Sequence, residues 1–149
     1  MINRQNLAIG EKLNKVIGLI NSDIKTVRDY GTGFSLPHSE VFLLWIISEY
    51  PNDNTSRLAL RLGITKGAIA QVTKKLHEKG LITSFHTPEN RKETFFKPTK
   101  LGKKAVSGHI RYHEQQSAQI LEFINSLSGK EIKTINAFFD VLINSYSPK

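Results

Sequence analysis

The chain of 149 residues is long enough to bury a hydrophobic core without covalent cross-links, and it contains no cysteine. Disulfides, thiolate metal sites, a cysteine nucleophile and a cysteine redox sensor are therefore excluded. The net charge of +8 is concentrated, because residues 55–104 carry a net +9 and the other residues a net −1. Such a segment attracts phosphate backbones or anionic membrane surfaces, although a lysine face that serves only solubility is an equal alternative.

No segment predicts export or insertion into a membrane. The first 20 residues contain no apolar run of signal-peptide length, and nothing approaches the ~20 apolar residues of a membrane span. We therefore expect a cytoplasmic protein that has no membrane partner.

Helical patterns occupy the N-terminal third of the chain. Apolar residues recur at near-helical spacing over residues 3–30, which predicts a long amphipathic helix. The segment GTGFSLPHSE breaks this pattern, with Ser35 as a candidate cap and Pro37 suited to the first turn of the next helix. Residues 41–47 are all apolar and predict a central core helix.

Two short helices follow the turn PNDN. The segment TSRLALRLG predicts a helix that ends at Gly63 and buries Leu58, Ala59 and Leu62. Thr65 is a favourable N-cap for the second helix, which Gly80 ends. The spacing predicts that this second helix buries one stripe: Ile69, Val72 and Leu76.

The remaining segments predict a hairpin and two helices. The β-prone runs LITSF and TFFKP flank the polar turn HTPENRKE. A long helix is predicted from Thr99 to about Asn125, and a last one after SLSGKE. The expected fold is mainly α, with a helix-turn-helix followed by a two-stranded β-wing. The terminal helices carry apolar stripes that so small a core cannot cover, which favours a partner subunit.

The exposed side of the second short helix has the composition of a DNA-reading surface. This side presents Lys66, Gly67, Ala70, Gln71 and Lys74. In helix-turn-helix proteins, the N-terminal part of the second helix meets base edges in the major groove. Small residues permit close approach, a glutamine can pair with an adenine edge, and a lysine can reach guanine or phosphate.

Further candidate DNA contacts flank this helix. Helix N-termini favour phosphate, which makes Ser56, Arg57 and Thr65 candidates for backbone contacts. Arg91 and Lys92 are predicted at the hairpin tip, where an arginine can enter a minor groove. The alternative is a helix-turn-helix that only packs or binds a protein, with its lysines merely solvated.

These segments resemble the MarR family of winged-helix transcription regulators. TSRLALRLGITKGAIAQVTKKLHEKGLI resembles that family's segment from helix 3 through the recognition helix, and NRKETFFKPTKLGKKA resembles its wing and the start of helix 5. The resemblance covers nearly the whole chain, and the joint spacing of the motifs is specific. It implies one domain over 1–149, a winged helix-turn-helix over 37–98, and dimerisation helices over 1–35 and 99–149.

The family resemblance also implies a function. It implies a homodimer on a pseudo-palindromic operator of double-stranded DNA, in most members a repressor, and in many released by a small ligand. Each subunit would place Lys66, Gly67, Gln71 and Lys74 in a major groove, and Arg91 in a minor groove. The chain departs from the family at Asn90, where an aspartate usually orients the wing arginine, and at Pro98, where leucine is usual.

Two candidate effector sites follow from family position. The candidate ligand cleft comprises Phe34, His38, Trp45 and Tyr112, for each of which core or interface packing is an equal alternative. His109 and His113 have the i, i+4 spacing of two zinc ligands and resemble a histidine pair in the family's zinc-sensing branch. The positions of that branch's other ligands hold unsuitable side chains here: Ile24, Tyr30, Val41 and Phe42. A complete shell would need His38, Glu40 or solvent. The alternatives are a pair of polar residues on a partly exposed helix and a hydrogen-bonded pair at the ligand cleft.

Two other function classes make different predictions. We find no nucleophile–base–acid arrangement, no glycine-rich phosphate loop and no cofactor fingerprint, so we expect no enzymatic activity and no cofactor. The histidine pair is the only seed of an enzyme site. A winged helix retained as a protein-interaction module would bind DNA weakly and without sequence preference.

Overall fold

The computed structural model describes residues 4–88 and 90–146. Its elements, in chain order, are α1 (Arg4–Lys25), α2 (His38–Glu49), α3 (Thr55–Leu62), α4 (Lys66–Glu78), β1 (Ile82–Thr87), β2 (Asn90–Pro98), α5 (Lys100–Ser126) and α6 (Gly129–Tyr146). This order confirms the predicted fold class, six helices with a two-stranded antiparallel wing. None of the helices in these two ranges is both long and apolar enough to cross a membrane.

The chain forms two compact units, one up to Ile110 and one from Arg111 onward. The core of the first unit lies around α2, whose apolar run is buried on several sides, as predicted. Phe42 and Trp45 are the half-buried members of that run. The largest side chains that are almost completely buried come from α2, α3, α4, β1 and α5 and from the residues before α2 and β1: Leu36, Val41, Leu44, Ile47, Leu58, Ile69, Leu76, Leu81, Ile82 and His109.

The first helix is shorter than the sequence pattern predicts. It ends at Lys25, and Arg28 pairs with Leu36 in a short antiparallel bridge. Between them, the Asp29 carboxylate accepts hydrogen bonds from the N–H groups of three residues: Gly31, Thr32 and Gly33. Desolvation raises the pKa of Asp29, but these hydrogen bonds outweigh it and hold the pKa below its usual value. Because these hydrogen bonds to the Asp29 carboxylate hold the backbone in a turn, the helix cannot continue through it. The apolar periodicity, which does not register this turn, therefore predicts an end of α1 that is too late in the chain.

The cap predicted for α2 is wrong. Ser35 does not cap it, because the adjacent Leu36 is held in the bridge to Arg28, and Pro37 occupies the N-cap position in an extended conformation. The carbonyl of Pro37 accepts from the N–H groups of Glu40 and Val41 instead. The helix therefore begins at His38, later than predicted, with Pro37 at the N-cap position and not in the first turn.

The helix-turn-helix is built by local signals that the sequence displays. Gly63 adopts a left-handed conformation with φ 64°, which ends α3. The hydroxyl of Thr65 accepts the N–H of Ala68 at 3.1 Å and caps α4. The predicted buried stripe of α4 is wrong at one position, because Thr73 is buried and Val72 only half-buried. Thr73 tolerates burial since its hydroxyl donates to the carbonyl of Ile69 at 2.9 Å.

The wing is longer than predicted. β1 and β2 pair in the register Ser84 opposite Phe96 and Ile82 opposite Pro98, and the pairing continues past an irregularity to Thr87. Most of the predicted turn HTPENRKE therefore belongs to strands. Arg91 lies on β2 rather than in a loop at the tip.

Two glycines allow close packing against α5. A Cβ added at Gly102 would lie 2.0 Å from the carbonyl oxygen of Leu81, and one added at Gly108 would lie 2.2 Å from that of Tyr30. Both distances are far below van der Waals contact. The segments that precede β1 and α2 can therefore rest on α5 only because these positions lack a side chain.

The second unit contains the end of α5 and the whole of α6. Ser128 and Glu131 form a reciprocal cap at the start of α6, in which Glu131 accepts from the Ser128 N–H at 2.8 Å and from its hydroxyl at 2.6 Å. Many large apolar side chains of this unit are exposed: Ile120, Leu121, Phe123, Ile124, Ile132, Phe138, Phe139, Val141, Ile143 and Tyr146.

Candidate nucleic-acid interface

The exposed face of α4 is arranged as predicted. Five residues are exposed on it: Lys66, Gly67, Ala70, Gln71 and Lys74. The opposite side of the helix is anchored in the core by the buried residues Ile69 and Leu76. A Cβ added at Gly67 would meet only the Thr65 hydroxyl, at 3.8 Å. No side chain projects from Gly67, so another molecule can approach the backbone at the N-terminal end of this face.

The start of α3 presents the exposed Arg57 next to an ion pair between Arg61 and Asp53. Arg57 is exposed and borders a cavity of about 420 Å³ that Asp53, Leu60 and Arg61 also line. The Nε of Arg61 donates to Asp53 at 2.8 Å, and its guanidinium lies 3.4 Å from the centroid of the Tyr50 ring. Arg61 is thus held within the protein, whereas Ser56 and Arg57 remain the candidate backbone contacts of this helix.

The wing carries the second set of predicted contacts. Arg91 and Lys92 are exposed on β2, close to the hairpin turn. Arg91 lines a cavity of about 410 Å³ together with residues of the opposite strand, among them His86. The Nδ1 of His86 lies 2.7 Å from the carbonyl oxygen of Glu93, which fixes the imidazole at this edge.

Sequence reasoning missed a groove between α4 and the wing. It has a volume of about 400 Å³ and is lined by Thr55, Lys74, His77 and Thr94, among others. The Nε2 of His77 lies 3.3 Å from the Ser84 hydroxyl. The signal for His77 was present, because it follows Lys74 by three residues and so shares its side of the helix. The two threonines come from other elements and carry no comparable signal.

An aromatic cluster surrounds His109, which is only 2% exposed. The rings of His38 and Trp45 each lie 6.0 Å from its ring, and that of Tyr30 lies 5.6 Å away. The structure therefore brings the predicted cleft residues His38 and Trp45 together with His109, for which a place at the cleft was one of the alternatives, and it adds Tyr30, which the sequence had not assigned to the cleft. Phe34 is half-buried in the same unit.

Tyr112, the fourth predicted cleft residue, belongs to the second compact unit. It is half-buried, and its ring stacks edge-on against that of His113 at 5.6 Å. His113 itself is exposed.

Comparison with known proteins adds independent evidence. A family model described as a winged helix DNA-binding domain matches residues 36–102. The HTH-type transcriptional regulator YvnA of Bacillus subtilis (strain 168) is 32% identical over 105 residues, which are 70% of this chain and 67% of that protein. The regulator YhjH of the same organism is 25% identical over 120 residues, which cover 80% and 69%.

Solved structures share the fold. Lactococcus lactis ZitR, a zinc-responsive MarR family member, superposes with a TM-score of 0.75 at 19% identity and covers 96% of this chain and 99% of its own. The chain belongs to the HTH-type transcriptional regulators, and its fold is that of MarR family members. A second protein with this fold, FabT of Streptococcus pneumoniae, is solved in complex with DNA, with a TM-score of 0.67, 20% identity and coverage of 95% and 94%. These structures are less than 25% identical to this chain, so they show only that the fold is shared.

Aromatic rings and an ion pair surround the candidate zinc ligands His38, His109 and Glu40. Within residues 4–88 and 90–146, no three His, Cys, Asp or Glu side chains come together as a metal site. Glu40, a conceivable further ligand, instead contacts the Nζ of Lys79 through its Oε2 at 2.5 Å. His38 lies near His109, as described above, with aromatic rings around both. Among the described residues, no carboxylate therefore joins these two imidazoles in a group that could hold a metal ion.

Proposed function

We propose that this regulator is a sequence-specific, homodimeric repressor that places α4 in the major groove of a pseudo-palindromic operator. The observation that carries the proposal is the division of α4 into two sides. One side anchors the helix in the core through Ile69, Thr73 and Leu76, and the other exposes polar and small residues to solvent. A helix held firmly along one side can present the other in a fixed register to base edges.

The residues of the DNA face have distinct roles in this proposal. Gln71 reads an adenine edge, since its amide can donate and accept at once. Lys66 and Lys74 reach guanine or phosphate, and Gly67 allows the backbone of α4 to approach the bases. Ser56, Arg57 and Thr65 contact the DNA backbone, and Arg91 and Lys92 bring the wing to the adjacent minor groove. Residues 37–98 form the DNA-binding part.

Exposed apolar surface supports a homodimer. Helix α1 exposes large apolar side chains along its length: Leu7, Ile9, Val16, Ile17, Leu19, Ile20 and Ile24. The second unit exposes a comparable set on α5 and α6. Monomeric proteins rarely expose so much apolar surface, so we propose that 1–35 and 99–149 provide the dimerisation helices. A two-fold dimer would give two equivalent α4 helices, which suits a pseudo-palindrome.

The effector is proposed to be a small molecule that enters beside the aromatic cluster. Phe34, His38 and Trp45 are half-buried, so they offer apolar surface that water still reaches. The alternative is a zinc response through His109 and His113, which have the helical i, i+4 spacing of two zinc ligands. A protein that binds operator DNA acts in the compartment that holds the DNA, so we propose a cytoplasmic location.

Selection from a random duplex pool, followed by fluorescence anisotropy, tests the function without knowledge of the operator. The enriched duplex should contain two related half-sites and bind roughly a thousandfold tighter than its shuffled version at the same salt concentration. Sedimentation of the complex should give two protein chains per duplex. A pool without enrichment, or equal weak binding to both duplexes, would favour a protein-interaction module instead.

A further inference from the structure

The groove between α4 and the wing has a defined floor and rim. Its floor contains the buried side chains of Thr73 and Phe96, and its rim carries Thr55, Lys74, His77 and Thr94. These rim residues come from α3, α4 and β2. A bridge between Asn54 and Phe95 joins the residue before α3 to β2, so the separation of the two walls is fixed by the backbone.

The rim has the chemistry of an oxyanion site. It offers two hydroxyl groups, one ammonium group and one imidazole, and no carboxylate of the described residues lines it. The Thr73 hydroxyl in the floor is committed to the carbonyl of Ile69, so the donors that remain for a ligand stand at the rim. A singly charged tetrahedral anion, such as a phosphodiester, can accept from hydroxyl, ammonium and imidazole N–H groups at once.

The imidazole of His77 is positioned by contacts on two elements. Its Nε2 lies 3.3 Å from the hydroxyl of Ser84 on β1. On α4 its charged neighbours are Lys74 and Glu78, whose side chains face each other at 4.0 Å and are both largely exposed. Among the described residues, α3 and β2 contribute only the hydroxyl groups of Thr55 and Thr94 and the ring of Phe96 to the lining of the groove. An imidazole held at one nitrogen can direct the other toward a ligand in the groove.

We propose that this groove binds one phosphate of the DNA backbone, with His77 and Thr94 as ligands beside Lys74. The proposal rests on the proposed function. Lys74 belongs both to the groove and to the exposed face of α4, so the groove continues that face without a break. His77 lies roughly 9 Å along the axis of α4 from Gln71, at about 1.5 Å per residue. Since the major groove is about 12 Å wide, a helix that reads bases at Gln71 brings His77 to the flanking phosphates.

Single methylphosphonate substitutions, scanned along the enriched duplex, test the proposal. Each substitution removes the charge of one phosphate. One position per half-site should weaken binding of the unaltered protein about two- to tenfold through this groove. With Thr94→Val or His77→Gln, the unmodified duplex should bind weaker by a similar factor, and the substitution at that one position should then have little further effect. The matched control is Thr83→Val, an exposed threonine on β1 whose register partner is Lys97 and not a residue of the groove.

The outcomes separate the groove from the function as a whole. Circular dichroism and thermal unfolding establish that each variant is folded. One outcome is that Gln71→Ala weakens specific binding while the losses of binding free energy from the groove variants and from the methylphosphonate substitutions are additive at every position. In that case the groove proposal is refuted and the proposed function stands. If no duplex is enriched, both fail. Titration with inorganic phosphate, followed by the Thr94 amide resonance, distinguishes the source of the anion. Saturation at micromolar phosphate, without coupling to the duplex, would assign the groove to free phosphate and overturn the proposal.

Discussion

Replacing Lys79 with methionine removes the cation that faces a buried carboxylate. The Nζ of Lys79 lies 2.5 Å from the Oε2 of Glu40, whose side chain is only 4% exposed. Lys79 is the C-cap residue of α4, and Glu40 lies in the first turn of α2. The ion pair therefore connects the end of the proposed DNA-reading helix to the core helix.

The two partners should respond unequally to substitution. Removing one partner of a buried ion pair costs about 3–5 kcal/mol, because it leaves an uncompensated charge. Since Lys79 is 32% exposed, water can reach part of the site, and we expect the lower end, about 3 kcal/mol, for Lys79→Met. For a chain of this length that loss lowers Tm by about 6–12 °C. Glu40→Gln retains a hydrogen-bond acceptor and leaves a lysine that can turn to solvent, so we expect about 1 kcal/mol.

Urea unfolding followed by circular dichroism at pH 7 measures both losses. The protein concentration must be the same for all variants, because unfolding of a dimer depends on it. The double variant Glu40→Gln/Lys79→Met should lose less than the sum of the single losses, which gives the coupling free energy of the pair. Equal losses for the two single variants, or a larger loss for Glu40→Gln, would refute the assignment of Glu40 as the buried charged partner.

Five other substitutions have defined outcomes. Gly108→Ala should destabilise the protein by about 1–3 kcal/mol in thermal unfolding, because the added Cβ would lie 2.2 Å from the carbonyl oxygen of Tyr30. Gly18→Ala is the matched control: its Cβ would meet nothing within 4 Å, so the higher helix propensity of alanine should stabilise the protein by about 0.5–1 kcal/mol. Gln71→Ala should cost about 1–3 kcal/mol on the enriched duplex and little on a shuffled one, whereas Lys74→Ala should weaken both alike, as anisotropy will measure. Hydrogen bonds from the hydroxyl and the N–H of Ser128 hold the pKa of Glu131 below its usual 4.5. The ionised Glu131 therefore stabilises the fold above pH 4.5, and this contribution is lost as the pH falls through the lowered pKa. Glu131→Gln should remove this contribution, which a comparison of urea midpoints at pH 6 and pH 3 will reveal.

The features predicted correctly from the sequence are set by local chemistry. Gly63 ends α3 because glycine accepts a left-handed conformation, and Thr65 starts α4 because its hydroxyl reaches a free N–H of the first turn. Both signals act within four residues, so composition and spacing reveal them. The exposed face of α4 follows from the same periodicity, which explains why Gln71 and Lys74 lie where the sequence placed them.

The features that were missed depend on contacts between distant segments. The last turn predicted for α1 is replaced by the Asp29 turn, and the bridge between Arg28 and Leu36 makes Ser35 unable to cap α2. His109 looked like half of a metal pair on one helix, yet its nearest rings come from residues about 65–80 positions earlier in the chain. No pattern along a single helix specifies which side chains another helix brings to it.

The same contacts change how the charge of the chain should be interpreted. Residues 55–104 contain 12 Lys/Arg, but Arg61 is bound to Asp53 and Lys79 to Glu40. The proposal assigns five cations per subunit to DNA: Arg57, Lys66, Lys74, Arg91 and Lys92. Two subunits would then displace counterions from about ten phosphates, so the logarithm of the affinity should fall with the logarithm of salt concentration with a slope of about −9. If all 12 cations bound phosphate, the slope would be roughly −20. A slope near −20 would show that the ion pairs open on DNA, and one near −2 would refute the proposed interface.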